Sequence, residues 1–231
     1  MRQLALEVRL RANAVFASFS PGLNAEILSA LRGANRDPLW LWGNRGCGKT
    51  HLLQAVCAAA GATGATAAYF PLDRSVALPP QALLGFESCR VLCIDDVDAV
   101  AGDLEWEQAL FRLFNEASEL HSRMIFAARS APRQVEWRLD DWRSRAAACI
   151  VYQVRDLDET GRMEALRLRA AQRGLQLPPE TLEYLLKRMP RDLPSLFEIL
   201  DELDEASLVA QRRLTVPFIR DALEKHARIK P

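Results

Sequence analysis

Gly43-Asn44-Arg45-Gly46-Cys47-Gly48-Lys49-Thr50 is the stretch whose reading decides the fold. Its spacing, G-x-x-x-x-G-K-[ST], is that of a loop whose backbone N–H groups wrap a chain of phosphates. Glycines allow the tight turn, and the helix that follows adds the positive end of its dipole. Lys49 is placed to reach the β- and γ-phosphates, and Thr50 offers a hydroxyl to Mg²⁺. His51 follows directly and joins the loop among the nucleotide-binding candidates. The expected ligand is ADP or ATP.

The flanking segments carry the loop as its mechanism requires. Leu39–Gly43 (LWLWG) is short and apolar, which suits a buried strand, while the residues after Lys49 (THLLQAVCAAAG) have helical spacing with Gly61 as the expected C-cap. Ala67–Leu72, Val91–Ile94, Met124–Ala128 and Ile150–Val154 read as four more strands, and Leu104–Leu120 as a helix burying Trp106, Leu110, Leu113, Phe114 and Ala117. Strands alternating with helices predict an α/β fold, a five-stranded parallel sheet covered on both faces. From Asp158 the pattern changes to helices alone: Glu159–Gly174, Pro179–Met189, Leu193–Gln211 and Val216–Arg228. The expected organisation is a tail at 1–15, a nucleotide-binding domain at 16–156 and a small helical domain at 157–231.

Val91-Leu92-Cys93-Ile94-Asp95-Asp96 is an apolar strand ending in two acids. Such a strand is expected to run beside the first, with Asp95 holding Mg²⁺ through water and Asp96 polarising the attacking water. A turn or helix start is the competing reading, because Asp caps helices well.

Lys+Arg and Asp+Glu both number 30, so the net charge is +0, which argues against a chain whose main affinity is for nucleic acid. The five cysteines are scattered with no C-x-x-C pair and read as reduced thiols of a cytoplasmic protein. No apolar run is long enough for a membrane helix, and the N-terminus lacks the pattern of a signal peptide.

Gly48–Leu53 (GKTHLL), Ile94–Asp96 (IDD) and Phe16–Phe19 (FASF) together resemble the AAA+ module of the replication initiator DnaA. Leu185–Arg188, Leu200–Asp204 and Ala210–Phe218 resemble the Hda family, DnaA-related regulators of initiation, so the similarity runs over nearly the whole chain. It implies a P-loop AAA+ fold with a helical lid and no DNA-binding domain after it. It also implies that Arg145 is an arginine finger directed at a neighbouring subunit's nucleotide, with Arg143 the near alternative, and that Arg191 is the lid arginine that senses bound phosphates. Gln3, Leu4 and Leu6 resemble a sliding-clamp-binding peptide, in which glutamine bonds at the pocket mouth and leucines fill an apolar cleft. The segment Ala127-Ala128-Arg129-Ser130 departs from the family, which places a polar or acidic residue at this sensor-1 position. Phe16 and Phe19 are expected near the adenine, at the domain edge or in the core.

The implied partners are DnaA, the DNA polymerase III sliding clamp and a second copy of the chain, with DNA contacted only through the clamp and no membrane. Two other functions stay open: an ATPase of the helicase-loader kind, favoured by the Lys49/Thr50/Asp95/Asp96 set, and a clamp adaptor without effect on hydrolysis.

Overall fold

The computed structural model describes residues 14–73, 78–175, 177–189, 192–210 and 214–227. Gln3, Leu4, Leu6 and Arg191 lie outside the described residues.

Five strands, β1 (Leu39–Trp42), β2 (Ala67–Pro71), β3 (Val91–Asp95), β4 (Arg123–Ala128) and β5 (Ile150–Gln153), form one parallel sheet in the order β2-β3-β4-β1-β5. The α/β expectation holds, with two corrections. The acid-terminated strand β3 does not run beside β1, because β4 lies between them and pairs with both. Asp95 therefore approaches the phosphate loop across β4, from two strands away. Inner strands are buried on both faces, and all five residues of β3 are buried. At the edge, β5 pairs only with β1, and Ile150 and Val151 are 37% and 41% exposed, so this strand is not covered as the sequence suggests.

Alternation along the strands sorts the core. Trp40, Leu92, Ile94 and Phe126 meet α3 (Leu104–Glu119) and α4 (Asp140–Ala147) in an aromatic cluster. Phe126 lies 5.5 Å from Trp142 and 5.9 Å from Trp40, with Trp137 against Trp142 at 5.8 Å. These offset and edge-on pairs fix orientation as well as burying area. The other face receives α2 (Lys49–Ala62), whose Leu52, Leu53 and Val56 are buried. Gly61 is not the C-cap of α2: the helix runs on to Ala62, Thr63 caps it, and Gly64 supplies the left-handed turn at φ 75°. Two short helices escape the sequence reading, α1 (Ala25–Arg32) and α4, the latter because DDWRSRAA buries only Trp142 and Ala146 and has too few turns to show a period.

Glu107 joins α3 to the start of α4. It is fully buried, and its carboxylate accepts from Gly102 N at 2.8 Å, Arg138 N at 2.9 Å and Leu139 N at 2.7 Å, satisfying backbone donors that would otherwise be orphaned. Glutamine keeps the shape but turns an NH₂ toward some of these donors. Glu107→Gln is expected to lower unfolding stability by about 1–3 kcal/mol, read as a lower urea midpoint at unchanged m-value; an unchanged midpoint would show that the three bonds contribute nothing net.

The chain divides into two compact units, the second comprising the residues from Leu157 onward with Ser18–Gly22. This unit contains α5 (Glu159–Gln172), α6 (Pro179–Arg188), α7 (Leu193–Ala210) and α8 (Val216–Ala227). Leu166, Leu182, Leu196 and Leu200 form one apolar cluster, and Leu185, Leu203, Leu214 and Ile219 a second. Arg169 and Arg173 of the α5 end bond Asp201 at 2.9 and 2.8 Å, and Arg173 also bonds Asp204 at 2.9 Å, fastening α5 to α7.

Candidate nucleotide site

The phosphate-loop sequence lies between the C-terminal end of β1 and α2, at the end of the sheet where α/β proteins place ligands. Gly43 is required by a close approach: a Cβ there would stand 2.4 Å from Val154 O and 3.0 Å from Cys47 Sγ. Gly48 is the N-cap of α2 at φ 103°, a conformation that favours glycine. Asn44 Nδ2 donates to Asp156 Oδ2 at 2.6 Å, fixing the loop to the segment after β5. Lys49 is only 6% exposed, and its Nζ donates to Gly43 O at 2.8 Å and Asn44 O at 2.9 Å. The cation is thus held inside the curl of the loop. Burial pushes the Cys47 thiol up from its ordinary value, so Cys47 acts as a packed, protonated wall. Arg45 and Thr50 are exposed, Gly46 turns the loop at φ 84°, and a His51 ring nitrogen lies 3.0 Å from Val15 O, tying the N-terminal segment to α2.

The two acids at the end of β3 differ in environment. Asp95 is buried, with Oδ2 accepting from Tyr69 Oη at 2.8 Å and Oδ1 from Asp96 N at 3.0 Å. Burial, and then the Asp95 charge, push the Tyr69 hydroxyl up, keeping it a donor. Each Asp95 oxygen retains a second acceptor site for a water. Asp96 sits in the left-handed region at φ 50°, which turns its carboxylate away from the strand direction. Burial, followed by repulsion from Asp95, raises its pKa; Lys49 and Arg129 oppose that rise, which places both cations in its field. Arg129 closes β4, and its backbone N donates to Asp98 Oδ2 at 3.1 Å, so the two strand ends are tied together. Tyr69 and Asp98 were invisible as site residues in the sequence, because their roles depend on strand register and a loop-to-loop bond. Among the described residues no group of three or more His, Cys, Asp or Glu could hold a metal by itself.

A raised Asp96 pKa predicts the sign of a pH effect. The folded chain keeps this proton to higher pH than the unfolded chain, so stability falls as pH rises from 3.8 through the folded value. Asp96→Asn removes that penalty. In chelator and without nucleotide, the variant is expected to melt higher than wild type at pH 7, with the gain shrinking below pH 3.8. A gain of equal size at both ends would trace to asparagine's tolerance of the left-handed conformation, and no gain would refute the burial argument.

The structure separates the two arginines of α4. Arg143 is engaged within its own helix, 2.7 Å from Asp140. Arg145 is exposed on the last turn, with its guanidinium 5.9 Å above the Phe114 ring. α4 starts from the C-terminal end of β4 and returns toward the start of β5, so Arg145 is carried away from the end of the sheet that holds the chain's own loop. Phe16 is half-buried beneath Arg32 (5.1 Å) beside the C-terminal halves of α1 and α2, away from the loop.

Residues 158–223 match the family described as Hda, lid domain. The chain is similar to domain III of the Thermotoga maritima replication initiation protein DnaA, at 22% identity and TM-score 0.77, covering 96% of this chain and 99% of that one. It is similar to AMPPCP-bound DnaA from Aquifex aeolicus at 22% identity and TM-score 0.70, covering 84% of this chain but only 65% of that longer protein. The Thermotoga maritima RuvB branch-migration motor aligns at 16% identity and TM-score 0.62, over 85% of this chain and 64% of that one. At such identities the solved structures establish the shared fold, and the lid match concerns residues 158–223 alone. The chain thus joins a phosphate-loop sheet with the fold of DnaA domain III to a segment, residues 158–223, that matches the Hda lid domain.

Proposed function

We propose that the chain is a nucleotide-binding regulator of chromosomal replication initiation that works with the DNA-loaded sliding clamp to stimulate hydrolysis of ATP bound to DnaA. The observation that carries this reading is the placement of Arg145, exposed at the far end of α4 from the chain's own phosphate loop while Arg143 is engaged by Asp140. A guanidinium so placed suits a nucleotide held by another subunit, whether DnaA or a second copy. ADP or ATP occupies Gly43–Thr50; the AMPPCP in the Aquifex relative supports that ligand class. The phosphate loop and Lys49 hold the phosphates, Thr50 and, through water, Asp95 would hold a Mg²⁺ that would neutralise phosphate charge, and Arg191 senses the nucleotide from the lid. Gln3, Leu4 and Leu6 dock the clamp. Arg129 beside Asp96, where the family has a polar or acidic group, favours an own site that sets conformation over one that turns over rapidly. The work is expected in the cytoplasm; among the described residues no helix is long and apolar enough to cross a membrane.

Hydrolysis of DnaA-bound ATP with and without DNA-loaded clamp tests the proposal. Stimulation by wild type should require the clamp and be lost with Gln3→Ala/Leu4→Ala. Stimulation independent of clamp removes the clamp from the mechanism. Clamp binding with no effect on DnaA leaves the chain an adaptor.

A further inference from the structure

The end of the sheet opposite the phosphate loop holds a cavity of about 420 Å³. It lies where the chain enters the strands: Arg36 precedes β1, Ala65 precedes β2, Arg90 precedes β3 and Arg123 opens β4. Four arginines line it, Arg32, Arg36, Arg90 and Arg123, with no carboxylate among the lining residues. In a chain whose charges balance at 30 and 30, this is a local concentration of one sign. Among the described residues none of the four forms an ion pair.

One of them has a structural task. Arg123 donates from Nη1 to Leu31 O at 2.9 Å and from Nη2 to Ala30 O at 2.7 Å, satisfying carbonyls at the C-terminal end of α1. Its Nε is sealed from solvent without a partner, and burial lowers its pKa, so the site holds a cation at some cost. The other three are not explained this way. Arg36 reaches His121 O at 3.2 Å with one nitrogen, Arg32 lies on the Phe16 face, and Arg90 is exposed. All three line the same cavity as Arg123, with no carboxylate in the lining to balance their charge. Guanidinium forks match phosphate oxygens in pairs, and the cavity volume is that of a small-molecule pocket. Val56, Ala59 and Ala60 of α2 supply an apolar wall opposite this charge.

We propose that this cavity is a second anion site that takes a small ligand bearing two or more phosphate groups, gripped by Arg32, Arg36 and Arg90 against the apolar wall of α2. It is separate from the nucleotide loop and does not depend on the function proposed above.

Calorimetric titration with pyrophosphate tests it on the full chain. Wild type should bind at two sites. Lys49→Met should lose one of them, at the phosphate loop, and keep the other. Arg32→Gln/Arg90→Gln should lose the second by more than tenfold while its ADP affinity stays that of wild type. Both arginines are exposed, and Arg36→Gln/Arg90→Gln, with the same expected result, guards against a folding defect in the first pair. Two sites persisting in both arginine variants, or loss of all pyrophosphate binding in Lys49→Met, would overturn the proposal. So would variants that keep pyrophosphate and lose only a single-stranded oligonucleotide, which would make the surface a nucleic-acid contact.

Discussion

Lys49→Ala is expected to weaken ADP and ATP binding by about two to four orders of magnitude. Lys49 Nζ is buried and already donates to Gly43 O and Asn44 O at 2.8 and 2.9 Å, so its position is set before any phosphate arrives. A charged hydrogen bond is worth roughly 1.5–3 kcal/mol, and about 1.4 kcal/mol is one decade of affinity. Losing the cation forfeits about two such bonds to phosphate oxygens, hence the predicted range. The fold should tolerate the change at modest cost, because Asn44 is exposed and its carbonyl can turn to water. Lys49→Met separates the charge from the packing, since it keeps most of the stem. If calorimetry found either variant binding ADP within threefold of wild type, the loop at Gly43–Thr50 would not be the phosphate site.

The loop was legible in the sequence because its chemistry is local: eight consecutive residues and the two elements flanking them contain the whole argument. The same holds for α3, where Trp106, Leu110, Leu113, Phe114 and Ala117 are all buried as their spacing requires. What the sequence could not display depends on pairing between distant segments. That β4 stands between β1 and β3 is a matter of strand order, to which the apolar runs are indifferent, since every inner strand is buried on both faces whatever its neighbour. Tyr69 reads as one more aromatic in a strand until the register sets Pro71 against Asp95 and brings the hydroxyl to the carboxylate. Glu107 falls on the apolar face of α3 by its spacing, but the three backbone donors that let a carboxylate stay fully buried there come from segments before α3 and α4. The cluster of Arg32, Arg36, Arg90 and Arg123 is spread over ninety residues of chain and exists only because parallel strands all begin at one end of the sheet.

If the chain is the regulator proposed above, Arg145→Ala is expected to abolish stimulation of a partner's hydrolysis while leaving the chain's own nucleotide affinity untouched. An arginine finger contributes a factor of about 10³–10⁵ to phosphoryl transfer, because a guanidinium aimed at the transferring group stabilises charge that develops only in the transition state. The variant's stability should change little: Arg145 is exposed, and a cation–π contact at such a site is worth about 0.5–1 kcal/mol. This separation between a large kinetic loss and a small thermal shift distinguishes a finger from a structural arginine. Arg145→Lys sharpens the point, since lysine preserves charge but not the planar fork, and should recover only a small part of the rate. Arg143→Ala is the matched control. Its guanidinium is held by Asp140 at 2.7 Å on the same helix, and its removal should leave stimulation near wild type. The reverse outcome, with Arg143→Ala inactive and Arg145→Ala active, would transfer the role to Arg143 and require the Asp140 pair to open when the partner docks. Full stimulation by both single variants would eliminate α4 as the source of the finger and leave the effect on DnaA without a guanidinium to explain it.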